Sequence, residues 1–313
     1  MRVVFLGSPA FAVPTLERLV ASGAQVLEVV TQPDRPRGRG QQPAAPPVKE
    51  AALRLGLPVY QPERVRRPEA VDRLRALAPD AMVVVGYGQI IPQAIIDIPR
   101  LGIVNVHASL LPEYRGAAPL QWAIVNGETR TGVTTMQIDA GLDTGDMLLT
   151  AETDIGPAET AVELGARLAL MGADLLARTL AGLESGSIAA RKQDPALATY
   201  APLLKKEDGR IDWSLPAEAI HNRVRGFQPW PGAYTAFRGG SLRIWRSRPA
   251  AASCLAGLTA GRLASIGPLV VSCGSGALEL IDVQLEGRRR MSAADFANGH
   301  RLSENDLLGE PRT

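Results

Sequence analysis

Met82-Val83-Val84-Val85 constrains the fold of this chain more than any other stretch. Successive side chains of a strand point to opposite faces, so four apolar residues in a row need cover on both sides. Strands of that kind belong in the middle of a parallel sheet with helices on each face. The segment is one of a series. Strand candidates lie at Val3–Leu6, Val26–Thr31, Ala81–Gly86, Ile103–His107 and Gly132–Ile138, with Met147–Ala151 as a sixth. Helix candidates alternate with them at Phe11–Ser22, Val48–Leu55, Pro68–Ala78 and Ala117–Asn126. A longer helix follows. Thr160 and Glu163 have capping-box spacing, and Leu164, Leu168, Met171 and Leu175 then repeat at helical intervals. This alternation predicts an α/β fold built on a Rossmann-like, doubly wound, mostly parallel sheet.

From Gly186 to Arg210 the periodicity is lost, and the stretch reads as a linker. Beyond it, short segments at Ala233–Phe237, Leu242–Trp245, Pro268–Ser272 and Ala277–Val283 are separated by Gly and Pro. That is the pattern of a small C-terminal β-barrel, OB-like in kind, with one helix over Pro216–Arg225. The expected organisation is a catalytic domain over 1–188, a linker over 189–209 and the barrel over 210–313; 313 residues suit two domains. No apolar run approaches the ~20 residues of a membrane span, and the apolar part of Met1–Gly7 is too short for a signal peptide. A cytoplasmic monomer without membrane contact is expected.

Cys254 and Cys273 have neither metal-ligand spacing nor a catalytic neighbour, and no role follows for them. His107, His221 and His300 are too scattered for a metal site, and no metal is expected; His221 reads as packing or surface and His300 as surface. Residues 210–313 carry thirteen arginines, no lysine and nine acidic residues, a net charge of +4. A mildly basic C-terminal part is compatible with a polyanionic partner.

The loop after the first strand candidate reads Gly7-Ser8-Pro9-Ala10-Phe11-Ala12. It is not a G-x-G-x-x-G turn, and no phosphate-binding G-x-x-x-x-G-K-[ST] motif occurs, which disfavours a dehydrogenase or an ATPase. The chemistry concentrates elsewhere. Asn105 and His107 close the strand Ile103–His107 two residues apart, so both side chains project from one face, at the carboxyl end where open α/β sheets bind ligands. Asp143 sits in D-A-G-L-D-T-G-D (Asp139–Asp146), whose glycines allow a sharp turn.

The order and spacing of these residues, with the turn Ser109-Leu110-Leu111-Pro112, resemble the folate-dependent formyltransferases. The likeness extends along most of the chain. It includes Phe5-Leu6-Gly7-Ser8-Pro9, Thr31–Gly40, Gln193-Asp194, Ala198-Thr199-Tyr200-Ala201, Lys206, Ile211-Asp212-Trp213 and Pro229-Trp230-Pro231-Gly232. By resemblance, the chain is the kind of family member that takes 10-formyltetrahydrofolate as co-substrate and formylates the methionine on initiator methionyl-tRNA. The resemblance implies that Asn105, His107 and Asp143 are catalytic and that Ser109, Leu110, Leu111 and Pro112 contact folate. Such chemistry needs donors for the negative charge that develops on the formyl oxygen, which an Asn amide and an imidazole supply. It also needs a base for the amine proton, a role open to Asp143, which could in addition hold His107 in one tautomer.

Arg35, Arg37 and Arg39 alternate with Pro and Gly, without an apolar anchor. The resemblance places this loop on the tRNA acceptor end, although Gln41-Gln42 stand where relatives often carry lysines. Lys205 and Lys206 are further phosphate candidates. The nearest alternative is a sibling formyltransferase acting on an amino sugar nucleotide. A tRNA-binding protein with a vestigial site is the reading from a different class.

Overall fold

The computed structural model describes residues 1–37, 42–250, 259–304 and 306–309. They form two compact units: Met1–Gly116 with Thr131–Thr153 and Gly165–Ala201, and Ala117–Arg130 with Asp154–Leu164 and Pro202–Thr313. Arg39 and Cys254 lie outside the described residues.

The first unit is built on a seven-stranded sheet. In chain order its strands are β1 (Arg2–Gly7), β2 (Gln25–Val30), β3 (Val59–Tyr60), β4 (Ala81–Val85), β5 (Ile103–His107), β6 (Arg130–Gln137) and β7 (Met147–Asp154). Their spatial order is β7-β6-β5-β4-β1-β2-β3. β1 to β5 pair in parallel, and β6 pairs antiparallel with β5. Every side chain of β4 is buried, as its unbroken apolar run requires. Glu28 on β2 is buried and meets Arg73, whose Nε reaches both carboxylate oxygens at 3.1 and 3.0 Å. The pairing offsets part of the cost of burying the carboxylate, which unpaired would be prohibitive.

The sheet's helices are α1 (Val13–Ala21), α2 (Pro47–Arg54), α3 (Pro68–Ala76) and α4 (Gln93–Ile96); α5 (Pro119–Val125), α6 (Ala161–Ser185), α7 (Ala217–Gly226) and α8 (Ala293–His300) follow along the chain. The expected Phe11–Ser22 helix starts later, after a 3-10 turn at Ala10–Ala12. Pro14 fits only a first helical turn because it has no N–H to donate. β3 and α4 were not legible, since two and four residues are too few to show a period. α6 covers one face of the sheet: Thr179 on it and Thr135 on β6 share a buried hydroxyl–hydroxyl bond of 2.8 Å. Thr135 pairs with Val106, whereas Met136 and Thr134 pair with Asn105 and His107. The two candidate residues therefore lie on the face away from α6.

In the second unit an antiparallel sheet takes strands from Ala233–Phe237, Gly240–Ala250, Leu263–Ile266, Leu269–Ser272, Ala277–Leu285 and Met291–Ser292. Their inward residues, among them Phe237, Ile244, Val271 and Leu280, join Ile220 and Val224 of α7 and Phe296 of α8 in one core. The α8 cap is Ser292, whose hydroxyl accepts from the Asp295 N–H. His221 is buried. Its Nε2 donates to the Pro157 carbonyl at 3.1 Å, which leaves Nδ1 to accept from the Ser247 hydroxyl, and burial pushes its pKa down. Burial pushes the Cys273 thiol up to about 12, so it stays protonated and unreactive. Among the described residues no helix is long and apolar enough to cross a membrane.

The capping box at the start of α6 forms as expected. Glu163 N–H donates to Thr160 Oγ1, and Glu163 Oε2 accepts from the Thr160 N–H and hydroxyl. Those donors hold the Glu163 carboxyl below its ordinary pKa, so this stabilisation is fully present above the ordinary carboxylate range and is lost as pH falls below that range and through the lowered folded pKa. Thr160→Ala is expected to cost about 1 kcal/mol at neutral pH and less near pH 3. Urea unfolding at the two pH values checks this, and a cost independent of pH would refute the Glu163 contribution.

Candidate active site

β5 ends in Asn105, Val106 and His107, and strand alternation puts Asn105 and His107 side by side. His107 is buried. Its Nε2 lies 2.9 Å from the Tyr114 carbonyl oxygen; because a carbonyl only accepts, Nε2 carries a proton and Nδ1 is the ring atom left for other work. Nδ1 faces Asp143 Oδ2 at 3.8 Å, beyond direct hydrogen-bond reach. The sequence suggested that Asp143 holds the His107 tautomer. In the structure that restraint comes from Tyr114, a backbone group seven residues away.

The Asp143 carboxylate is held from two further sides. Oδ2 accepts the Gly116 N–H at 2.9 Å, and Oδ1 lies 3.4 Å from Asn105 Nδ2. The loop that carries it is tied internally, since Asp139 accepts from the Gly141 N–H and the Thr144 hydroxyl. Gly145 brings this loop against the end of β6, where a Cβ would stand 1.9 Å from the Gln137 carbonyl oxygen. Asp143 itself has a φ of 52°, a left-handed conformation that costs free energy and persists only where surroundings enforce it. Asn105, His107 and Asp143, expected to meet from their positions in the sequence, are thus brought together.

The turn after β5 is built around Thr134, whose hydroxyl donates to the Ser109 carbonyl and accepts from the Leu111 N–H. Ser109 is buried and its hydroxyl donates to the Glu113 carbonyl. Leu111 packs with Met136 and Met147. Leu110 and Pro112 are half-buried and form the accessible edge of the turn.

A cavity of about 720 Å³ opens beyond the carboxyl ends of β1, β2 and β4, lined in part by Ser8, Gln32, Arg35 and Tyr87. Gln32 links three segments here: its N–H donates to the Ser8 hydroxyl, its Nε2 to the Tyr87 carbonyl, and its carbonyl accepts from Gln61. Hydrogen bonding from Gln61, then from Lys49, holds the Asp34 carboxyl below its ordinary pKa. Arg35 is exposed, and the backbone of Arg35–Arg37 pairs with Gln42–Ala44. Lys205 and Lys206 are exposed on the second unit.

Several residues that shape the site escaped the sequence reading. Arg115 and Gln193 are both buried and bonded to each other, and Thr199 accepts the Tyr114 N–H through its hydroxyl at 2.8 Å. Gln193 and Thr199 lie in the stretch read as linker. Its Tyr200–Ala201 pairs in parallel with Arg115–Gly116. The available signal was resemblance alone, because an isolated polar residue in an aperiodic stretch has no pattern to betray its burial.

A family model described as Formyl transferase matches residues 1–180, and one described as Formyl transferase, C-terminal domain, matches residues 203–301. The methionyl-tRNA formyltransferase of Solibacter usitatus is 69% identical over 310 residues, 99% of each chain. That of Koribacter versatilis is 57% identical over 312 residues, again 99% of each. Among solved structures, an N-formyltransferase from Helicobacter canadensis in complex with folinic acid and dTDP-3-aminofucose is similar with a TM-score of 0.65. It is 18% identical, and the match covers 89% of this chain and 98% of that one.

Gly116 has a φ of 120°, and a Cβ there would stand 2.6 Å from the Ala201 carbonyl oxygen. Gly116→Ala is expected to destabilise the chain by about 1–3 kcal/mol and to part the short strand pair. Urea unfolding measures the first and amide exchange at residues 199–201 the second. An unchanged unfolding midpoint would show that the pairing does not depend on the glycine.

Proposed function

The chain belongs to the formyl transferase family, and we propose that it transfers a formyl group from 10-formyltetrahydrofolate to the free amino group of methionine on initiator tRNA. The observation that carries this reading is the convergence of Asn105, His107 and Asp143 at the carboxyl end of β5. Their roles follow from which atoms are already engaged.

Asn105 has two amide protons, and its one long bond to Asp143 leaves the other for the formyl oxygen. A donor preorganised toward developing negative charge typically lowers a barrier by about 3 kcal/mol. His107 is anchored through Nε2, so its proton traffic passes through Nδ1. The 3.8 Å between Nδ1 and Asp143 Oδ2 lets one substrate nitrogen stand within hydrogen-bond reach of both. Asp143 then receives the proton the attacking amine gives up and relays it to the unprotonated Nδ1 of His107, which delivers it to the departing nitrogen. The folate brings an activated formyl group.

For the folate we assign the turn Ser109 to Pro112, in which Ser109 and Leu111 hold the shape while Leu110 and Pro112 offer an apolar edge. For the tRNA acceptor end we assign the cavity on the rim. Arg35, Arg64 and Arg66 line it and are all exposed, a placement suited to phosphates. Arg37 and Arg39 follow in the sequence, Arg39 outside the described residues, and Lys205 and Lys206 on the second unit are assigned separately as phosphate contacts.

Formyl transfer is measured with methionine-charged initiator tRNA as acceptor, against charged elongator tRNA, free methionine and a dTDP-amino sugar. Transfer confined to the initiator tRNA is the expected result; transfer to the sugar alone would replace the acceptor while leaving the centre. His107→Ala is expected to lower turnover by about 100-fold or more with tRNA affinity within about threefold of wild type, and full turnover would overturn the assignment. Arg35→Ala is expected to weaken tRNA binding and to flatten its dependence on log salt by about one. An unchanged slope would remove Arg35 from the tRNA contact.

A further inference from the structure

The amide of Gln193 sits behind the candidate centre in a fully specified arrangement. Its Nε2 donates to the Asp143 carbonyl and to the Gly145 carbonyl, each at 2.8 Å. Its Oε1 accepts from Arg115 Nε at 3.0 Å and Nη2 at 2.7 Å. Both residues are buried. Chemistry allows only one orientation. A guanidinium only donates, so it must face the amide oxygen, and the NH₂ is then turned toward two carbonyls that only accept. Arg115 therefore fixes which way Gln193 points.

The same segment holds Asp143 a second time. Gly116, the residue after Arg115, gives its N–H to the Asp143 carboxylate. Asp143 is thus gripped by its side chain through Gly116 and by its backbone through Gln193. The backbone grip is the one that answers the left-handed φ. Two hydrogen bonds to the carbonyls of Asp143 and Gly145 fix the Asp143–Thr144 and Gly145–Asp146 peptide planes, between which the loop would relax if released.

We propose that Gln193, oriented by Arg115, is a positioning residue for the reaction: it holds the Asp143 loop so that the carboxylate stays at Gly116 and opposite His107. This rests on the reading of Asp143 as a reacting group. Gln193 touches neither Asn105 nor His107 among the described hydrogen bonds and acts only through the loop. An isosteric carboxylate cannot replace it. Glu at this position would still accept from Arg115, but it would turn lone pairs on the two carbonyls and repel the loop it should hold.

The test is Gln193→Glu in the full-length enzyme, read three ways. kcat for formyl transfer is expected to fall by about tenfold to a hundredfold, with KM for the charged tRNA within about threefold of wild type. Amide exchange in peptides spanning 139–146 is expected to accelerate while the sheet stays protected. Should this variant fail to fold, Arg115→Lys keeps the charge, loses the two-pronged donation and carries the same expectation. Wild-type kcat, or a lowered kcat with loop protection intact, would overturn the proposal. Asp143→Asn is run beside it. If that variant turns over like wild type, the assignment of Asp143 fails first, and Gln193 has nothing catalytic to position.

Discussion

The candidate centre depends on a two-residue parallel pairing, Arg115–Gly116 against Tyr200–Ala201. Along a strand, successive N–H groups point to opposite sides. Arg115 gives its N–H to the Thr199 carbonyl at 2.9 Å, so the Gly116 N–H faces away from the partner and reaches the Asp143 carboxylate. The preceding residue, Tyr114, gives its N–H to the Thr199 hydroxyl and its carbonyl to His107. One short pairing therefore sets the His107 tautomer, a donor for Asp143 and the place of Arg115. Breaking it would loosen all three together.

Polar groups near the site are committed in a definite order. Thr134, Ser109, Tyr114, Arg115 and Gln193 spend their hydrogen bonds on one another and on backbone. Asn105 and the Nδ1 of His107 keep capacity to spare. His107 is buried and Asn105 half-buried, and unused capacity is costly in a buried group unless a ligand uses it, so the division separates what shapes the site from what meets substrate. The fold contributes location: β5 ends beside β4 at the open rim of a parallel sheet, and the strand's other face is closed by α6 through Val106, Thr135 and Thr179. Only one face of the strand end is left for chemistry.

What could be read from the chain in advance had a local cause. The apolar run of β4 and the two-residue spacing of Asn105 and His107 each express a strand's period within a few residues. The capping box of Thr160 and Glu163 is local in the same way. Gln193 and Arg115 are 78 residues apart, and neither carries a mark of burial. The aperiodic stretch after Gly186 looked like a connection because its order comes from partners elsewhere in the chain. Ser109 shows the converse: its place in the turn was plain, yet its hydroxyl is spent on Glu113.

By itself the sequence determined the α/β alternation, the strand that carries Asn105 and His107, and the glycine-flanked loop that carries Asp143. These follow from periodicity and backbone freedom, which act over neighbouring residues. Tertiary structure alone decided that Tyr114 rather than Asp143 holds the His107 proton, that Asp143 is gripped by Gly116 and Gln193, and which residues of the Ser109–Pro112 turn stay accessible. Hydrogen-bond partners are chosen by distance and direction in space, and residues far apart in the chain meet those conditions only once the fold has formed.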